Sequence, residues 1–283
     1  MPELPEAEVV ARQIRARLLG ATLTDAWIGR VDIVREGYRE RGWYLGSVLR
    51  AAERFGKSVA LRFEHEAESR FFVAELGMTG LLLFRAAATR FPQHVHVRLT
   101  FVGGRESELR YWNPRRFGRI SLVDPQQFKD YLTRRFGCDP LAVSREDFLR
   151  IVKGRDGRLK PLLMHQQAIA GIGNIYANEI LFRARLHPNT RASRLPVSKI
   201  EELFRITREV LHEAIACGGS SVRDFFAPDG SEGRFKARHL VYGKEGLPCP
   251  NQCGHVIRRL QSERSSFFCP ACQGRAGARR IAF

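Results

Sequence analysis

The chain opens Met1-Pro2-Glu3-Leu4-Pro5-Glu6. A small residue after Met1 permits removal of that methionine, and Pro2 then becomes a free N-terminal secondary amine. An α-amine titrates near pH ~8, well below a lysine side chain, so much of it is unprotonated at neutral pH. Such an amine can attack a carbon at the aldehyde oxidation level and give a cationic iminium, which is Schiff-base chemistry without a lysine. Glu3 supplies a carboxyl group one residue along the chain and Glu6 a second. The hexapeptide also reads as a proline-rich start that stiffens the chain ahead of a helix, and alone it leaves both readings open.

The second chemical signal is at the other end. Cys249, Cys253, Cys269 and Cys272 form C-x3-C, a spacer of fifteen residues, then C-x2-C. Two close pairs separated by a hairpin-length insert can place four thiolates tetrahedrally around zinc. Four protein ligands leave no open position, so the metal is structural. Cys138 and Cys217 stand apart and read as ordinary reduced, buried thiols. Arg264 falls near the expected hairpin tip, where Ser265 and Ser266 beside it favour a phosphate contact over a merely solvated arginine.

Three shorter segments carry further possibilities. Gly171-Ile172-Gly173-Asn174 runs into a helix, where backbone N–H groups and the helix dipole favour an anion, with Asn174 as a side-chain donor. Asn113-Pro114-Arg115-Arg116-Phe117-Gly118 puts an arginine and an aromatic on one turn, suited to filling the hole left when a base is extracted. Met78, in Leu76-Gly77-Met78-Thr79-Gly80, lies on another glycine-flanked turn and serves that purpose or fills the core. Lys57 and Lys160 are positioned to hold phosphates or are simply solvated.

The elements that must hold these residues fall into blocks. Residues 7–19 read as a helix with Val9, Val10, Ile14 and Leu18 on one face, ended by Gly20. Residues 22–34, 46–53, 58–63, 70–76, 80–84, 94–101, 107–112 and 118–123 alternate with period two between glycine and polar turns, as in an all-β sandwich or barrel. Past Asp124-Pro125 the pattern turns helical, over 126–136, 144–153, 159–165, 174–183 and 198–216. Ser198 and Glu201 read as a capping box for the last helix. Residues 224–247 read as a mobile, glycine-rich loop leading to a short strand. The expected fold class is multi-domain α+β, with domains at 1–124, 125–240 and 241–283.

Composition narrows the partner. The 283 residues include 47 Lys plus Arg against 30 Asp plus Glu, a formal charge of +17 with a sequence pI of about 10.4. That excess favours a polyanion, nucleic acid before an anionic membrane. No basic-then-apolar segment opens the chain and no apolar run is long enough to span a bilayer, so a soluble, cytoplasmic protein is expected.

Together, in this order, these segments resemble the formamidopyrimidine-DNA glycosylase (Fpg) family over nearly the full length. The resemblance implies an N-terminal helix plus β-sandwich domain, then a helix–two-turn–helix domain with a C-terminal β-hairpin zinc finger, and DNA in the cleft between. It implies a bacterial, monomeric, bifunctional glycosylase and abasic-site lyase that acts on damaged double-stranded DNA without a small-molecule cofactor. Pro2 would attack C1′, Glu3 would protonate the sugar during ring opening, and Lys57, counted with the catalytic set, would contact phosphates around the site. Met78, Arg115 and Phe117 would fill the void. His94, Arg115, Lys160, Asn174 and Arg264 would contact DNA, and a loop around residues 231–235 would close over the extruded base. Leu4, where the related endonuclease VIII group usually has Gly, favours oxidised purines such as 8-oxoguanine and formamidopyrimidines as the substrate.

The chain departs from the family pattern at several points. The first cysteine pair has one residue more than the usual C-x2-C. Asn113 stands where Asp is usual, His165 where Asp is common, and Arg234 where Tyr is frequent. Phe91-Pro92-Gln93-His94 keeps only the last His of a usual Lys-His-x-His stretch. Three other readings remain: the same chemistry on oxidised pyrimidines, a catalytically silent damage-sensing DNA-binding protein, and a basic zinc-ribbon protein that binds RNA.

Overall fold

A computed structural model of the chain describes residues 2–87, 92–222, 225–261 and 264–274. Met1, Phe91 and Asp224, each part of a reading above, lie outside the described residues. The chain forms two compact units, Met1–Arg135 with Ala214–Lys236, and Phe136–Glu213 with Ala237–Phe283.

The first unit begins with helix α1 (Leu4–Leu18). It starts three residues earlier than expected because proline is favoured at the first helical positions, where no N–H is needed. Val10, Ile14 and Leu18 are fully buried, and each contributes about 1.5–3 kcal/mol by leaving water. The helix packs on strands β3 (Val48–Phe55) and β4 (Ser58–His65). The other strands of this unit are β1 (Thr22–Ile28), β2 (Val34–Glu36), β5 (Glu68–Glu75), β6 (Leu81–Phe84), β7 (Val95–Val102), β8 (Glu108–Trp112) and β9 (Arg119–Val123). Among the described residues the hydrogen-bonded order is β2-β9-β5-β4-β3-β1-β7-β8-β6.

The seam is β3–β1, which share a single aligned pair, Thr22 with Val48. There the sheet turns over into two layers. Phe63 of β4 and Phe101 of β7 stack across the layers at 6.3 Å between centroids, with Tyr44 edge-on to Phe63. The continuous strand expected over 22–34 breaks after Ile28. Gly29 lies so close under the Trp27 indole that a Cβ there would meet the ring at 2.3 Å, and Val31–Ile33 form a 3-10 turn before β2.

Helix α2 (Pro125–Arg135) closes this part of the unit, stacking Phe128 on Phe71 at 4.0 Å. The described residues of 217–235 form a hydrogen-bonded loop. Phe225 enters the sandwich core, Phe84 donates its backbone N–H to the Pro228 carbonyl, and Phe235 donates to Gly219.

The second unit holds helices α3 (Arg145–Lys153), α4 (Leu159–Met164), α5 (Asn174–Arg183) and most of α6 (Val197–Ala216), followed by the hairpin β10 (Arg258–Leu260) and β11 (Ser266–Phe268). The helix-plus-sandwich, helical and hairpin-finger blocks are thus all present. Three details differ from the sequence reading. Helix α6 begins at Val197, so Ser198 lies inside its first turn and is not the cap. The loop expected over 224–247 carries a 3-10 turn at Phe235–Arg238, and the short strand expected after it is an isolated bridge, Pro248 with Val256. Cys138 and Cys217 are half-buried, not buried. Burial pushes the Cys138 thiol up to about 11.

An enclosed ion pair fixes α1 to the sheet. Glu8 accepts from Arg54 at 3.0 Å and from Arg12 at 2.7 Å. Burial pushes the Glu8 carboxyl up, but the two guanidiniums outweigh it and hold it below its usual 4.5. That contribution is present above pH 4.5 and is lost as pH falls below it. Arg54→Ala is expected to lower unfolding stability at neutral pH by about 2–3 kcal/mol, less than a fully enclosed pair because Arg12 remains. Urea titration at pH 7 and pH 4 should show the wild-type advantage shrinking at the acid end.

Candidate functional site

In the first unit the N-terminus is held by carboxylates. Glu3 is the N-cap of α1 and is 1% exposed. Glu6, equally buried, accepts the Glu3 backbone N–H at 2.8 Å through Oε2 and the Ser220 backbone N–H at 2.7 Å through Oε1. The first of these belongs to a reciprocal capping box between Glu3 and Glu6. The second reaches across 214 residues to the neck of the 217–235 loop. Gly219 has φ +84°, and a Cβ on it would stand 2.8 Å from Glu6 Oε1, so glycine is what lets the neck approach the carboxylate. Pro2 is buried beside this arrangement. A nucleophile needs this fixity, since misplacement by an ångström is costly.

The three residues expected to fill a void, Met78, Arg115 and Phe117, are brought together. Arg115 lies over the Phe117 ring, its Cζ 5.1 Å from the centroid, and its Nη2 is 3.6 Å from the Met78 sulfur. Phe117 is 58% exposed. An exposed phenylalanine at the tip of a rigid turn is available to insert into a base stack. The two turns carrying these residues are in direct backbone contact. A Cβ on Gly77, φ +60°, would stand 2.5 Å from the Gly118 nitrogen.

Asn113 joins both turns and is fully buried. Its Nδ2 donates to Tyr111 Oη at 3.1 Å and to the Gly118 carbonyl at 3.3 Å, and its Oδ1 accepts from Thr79 Oγ1 at 3.5 Å. Its carbonyl lies 3.1 Å from His96 Nε2. Burial pushes the His96 imidazole below 6.5, so it is neutral at physiological pH. The amide both donates and accepts, where a carboxylate at this point would only accept. Lys57, half-buried, occupies the turn between β3 and β4, and His94, also half-buried, ends a 3-10 turn with its carbonyl accepting the Asn113 N–H.

In the second unit Asn174 is the first residue of α5, after the extended Gly173. Its Oδ1 accepts from Asn178 Nδ2 at 3.3 Å, which turns its own amide donors elsewhere, at the positive end of the helix. Gln166 shapes the preceding loop. It accepts the Gly171 N–H at 2.9 Å and donates to the Met164 and Ile172 carbonyls. The Gly171 N–H expected to face an anion is therefore taken by Gln166. Arg264 is exposed on the hairpin turn. Lys160, expected at a phosphate, is 3% exposed and donates to the Ser265 carbonyl at 2.7 Å and to Ser266 Oγ at 2.9 Å. In this structure it props the turn that carries Arg264.

The four cysteine sulfurs all lie within 4.8 Å of one another. Cys249 and Cys272 are 3.7 Å apart, Cys253 and Cys269 3.4 Å. A tetrahedron with metal–sulfur bonds of about 2.3 Å has edges of about 3.8 Å, so this donor set suits a closed, four-thiolate metal site. The extra residue in the first pair is absorbed by Gln252 at φ +53°, and Asn251 donates to Cys272 Sγ at 3.5 Å.

Sequence reading missed three polar anchors, two of them buried. Glu179, inside α5, accepts the backbone N–H groups of Leu240, Val241 and Tyr242. Gln273 accepts from Cys269 and donates to the Leu186 carbonyl. Gln166 is the third. A lone acid amid Ile175, Tyr176, Ala177, Ile180, Leu181 and Phe182 was the visible signal for Glu179.

Three family models match the chain. They are the formamidopyrimidine-DNA glycosylase N-terminal domain over residues 1–120, the H2TH domain of the same glycosylase over 136–226, and a zinc finger found in Fpg and IleRS over 246–274. The chain belongs to the formamidopyrimidine-DNA glycosylase family. It is 41% identical over 280 residues to a formamidopyrimidine-DNA glycosylase of Thermus thermophilus, covering 97% of this chain and 99% of that protein. It is 37% identical to the Gluconobacter oxydans enzyme of the same name, covering 96% and 100%. Among solved structures, MutM (Fpg) of Thermus thermophilus superposes with TM-score 0.83 at 38% identity, covering 97% of this chain and 100% of that one. A Lactococcus lactis Fpg in complex with abasic-site DNA superposes with TM-score 0.84 at 29% identity, covering 96% and 100%.

Replacing Asn113 by Ala removes the donor to Gly118 and the acceptor for Thr79. Thermal unfolding of Asn113→Ala is expected to show a loss of about 1–3 kcal/mol, the usual consequence of leaving buried polar groups unmatched. Unchanged stability would show that the two turns hold their positions without it.

Proposed function

We propose that this protein is a bifunctional DNA glycosylase and abasic-site lyase of base excision repair that removes oxidised purines from double-stranded DNA. The observation that carries the reading is the Glu6 bridge, which ties the N-terminal Pro2-Glu3 to the neck of the 217–235 loop. It puts a fixed amine and a carboxyl group beside a segment able to cover an extruded base.

Pro2, freed of Met1, attacks C1′ of the damaged nucleotide, and the base leaves with the C1′–N bond electrons. The C1′ carbon is at the aldehyde oxidation level, so displacement and ring opening give an iminium. Glu3 delivers the proton that the ring oxygen needs. The iminium acidifies the C2′ proton, and successive β- and δ-eliminations cut the strand on both sides. Lys57 holds a phosphate near the reacting sugar. Met78, Arg115 and Phe117 fill the gap in the stack, and His94, Asn174 and Arg264 grip the backbone, with Lys160 supporting Arg264. The cysteines hold one structural zinc, which takes no part in these steps. Residues 1–124 act as the catalytic domain, 125–240 as the helix–two-turn–helix domain and 241–283 as the finger, in a monomer working in a bacterial cytoplasm. Loss of Met1 is a condition of the whole scheme, because an amide nitrogen has no nucleophilic lone pair.

Borohydride added during incubation with abasic duplex DNA is expected to trap a covalent adduct with wild type, and roughly a hundredfold less or none with Pro2→Gly. No adduct from protein shown to lack Met1 would leave a DNA-binding protein without this chemistry. Excision from duplexes carrying single 8-oxoguanine, formamidopyrimidine or oxidised pyrimidine lesions is expected to favour the purines.

A further inference from the structure

Glu75 ends β5 and has no part in the chemistry above. It is 8% exposed. Its Oε2 accepts from Arg135 Nη2 at 2.7 Å and from Arg35 Nη2 at 3.3 Å, while Oε1 is buried without a hydrogen-bond partner. An enclosed carboxylate is costly, and Arg–carboxylate pairs are frequently bidentate, two oxygens against a guanidinium fork. Here two guanidiniums share one oxygen, and neither has another acceptor among the described residues. Both side chains stay open to solvent, Arg35 at 43% and Arg135 at 37%. The Tyr131 ring, 5.5 Å from Arg135 Cζ, steadies one of them.

The position of this triad is set by strand register. Glu75 is aligned with Ser58 across β5 and β4, and Ser58 follows Lys57. In the other direction Glu75 leads through Leu76 and Gly77 to Met78. The Glu75 carbonyl accepts from Tyr111 Oη at 2.7 Å, the same hydroxyl that Asn113 contacts. Two fixed guanidiniums with a net triad charge of +1 therefore stand at the base of the void-filling turns and beside the Lys57 turn.

We propose that Arg35 and Arg135, held by Glu75, each bind a phosphodiester of the DNA backbone in addition to the residues named above. The site rests on the DNA-acting reading of the preceding section. Each guanidinium keeps further N–H groups in a planar fork that matches two phosphate oxygens. The shared carboxylate offsets the repulsion between two adjacent cations and holds them ready. The other role open to the triad is to brace α2 on the sheet, and the two roles separate by experiment.

The test is the affinity of the full-length protein for a duplex carrying a non-cleavable abasic-site analogue, measured from about 50 to 200 mM salt. Each phosphate contact contributes about 0.9 to the slope of log K against log salt. Arg35→Gln and Arg135→Gln should each lower the slope by about 0.9, and the double variant by about 1.8. Arg→Lys at both positions should retain most of the slope. Glu75→Gln separates organisation from bulk charge: removing an acid tightens binding if only net charge matters, whereas loss of the organised pair weakens it. Circular dichroism checks that each variant is folded. An unchanged slope in the double glutamine variant, with a lowered melting temperature, would reduce the triad to a brace and overturn the proposal while leaving the glycosylase reading intact. Absence of salt-dependent DNA binding by wild type would overturn both.

Discussion

One buried carboxylate, Glu6, is the contact on which the proposed active site depends. Its two oxygens receive the backbone N–H groups of Glu3 and Ser220. Hydrogen bonds to an ionised acceptor each contribute about 1.5–3 kcal/mol, and losing either would leave a buried charge half-matched. The N-terminus and the loop neck therefore hold their places together. The consequences spread outward from there. Gly219 must lack a Cβ because Glu6 occupies the space. Gly233 must lack one because the Gly219 carbonyl would stand 2.3 Å away. Phe225, buried in the sandwich core, anchors the same loop from its far side.

The two turns that carry Met78 and Phe117 are built on the same principle. Their backbones touch at Gly77 and Gly118, and Asn113 supplies the polar matching inside the contact. The exposed tip of Phe117 is tolerated only because everything beneath it is closed. In the second unit Glu179 and Gln273 play comparable parts, each committing a buried side chain to backbone groups of a distant segment. The regular elements set the frame, and a handful of enclosed polar side chains set the loops.

That division explains what the sequence made legible. Local signals sufficed for the helices, for most strands and for the cysteine cluster, since periodicity and spacing are properties of neighbouring residues. Ser198 looked like a cap because the capping pattern is local, whereas the helix began one residue earlier. The roles of Glu6, Glu75 and Glu179 each involve residues some 40 to 214 positions away, beyond the reach of any local pattern. Lys160 was legible as a cation but not as a buried strut, because its acceptors, Ser265 and Ser266, come together with it only in the fold.

The central claim is that the reacting atom is the α-nitrogen of Pro2. Peptide mapping by mass spectrometry of the borohydride-trapped, nuclease-digested adduct tests it most directly. The sugar remnant is expected on the N-terminal peptide, on Pro2, with Met1 absent. A remnant carried on Lys57 or another lysine, with Pro2 unmodified, would contradict it.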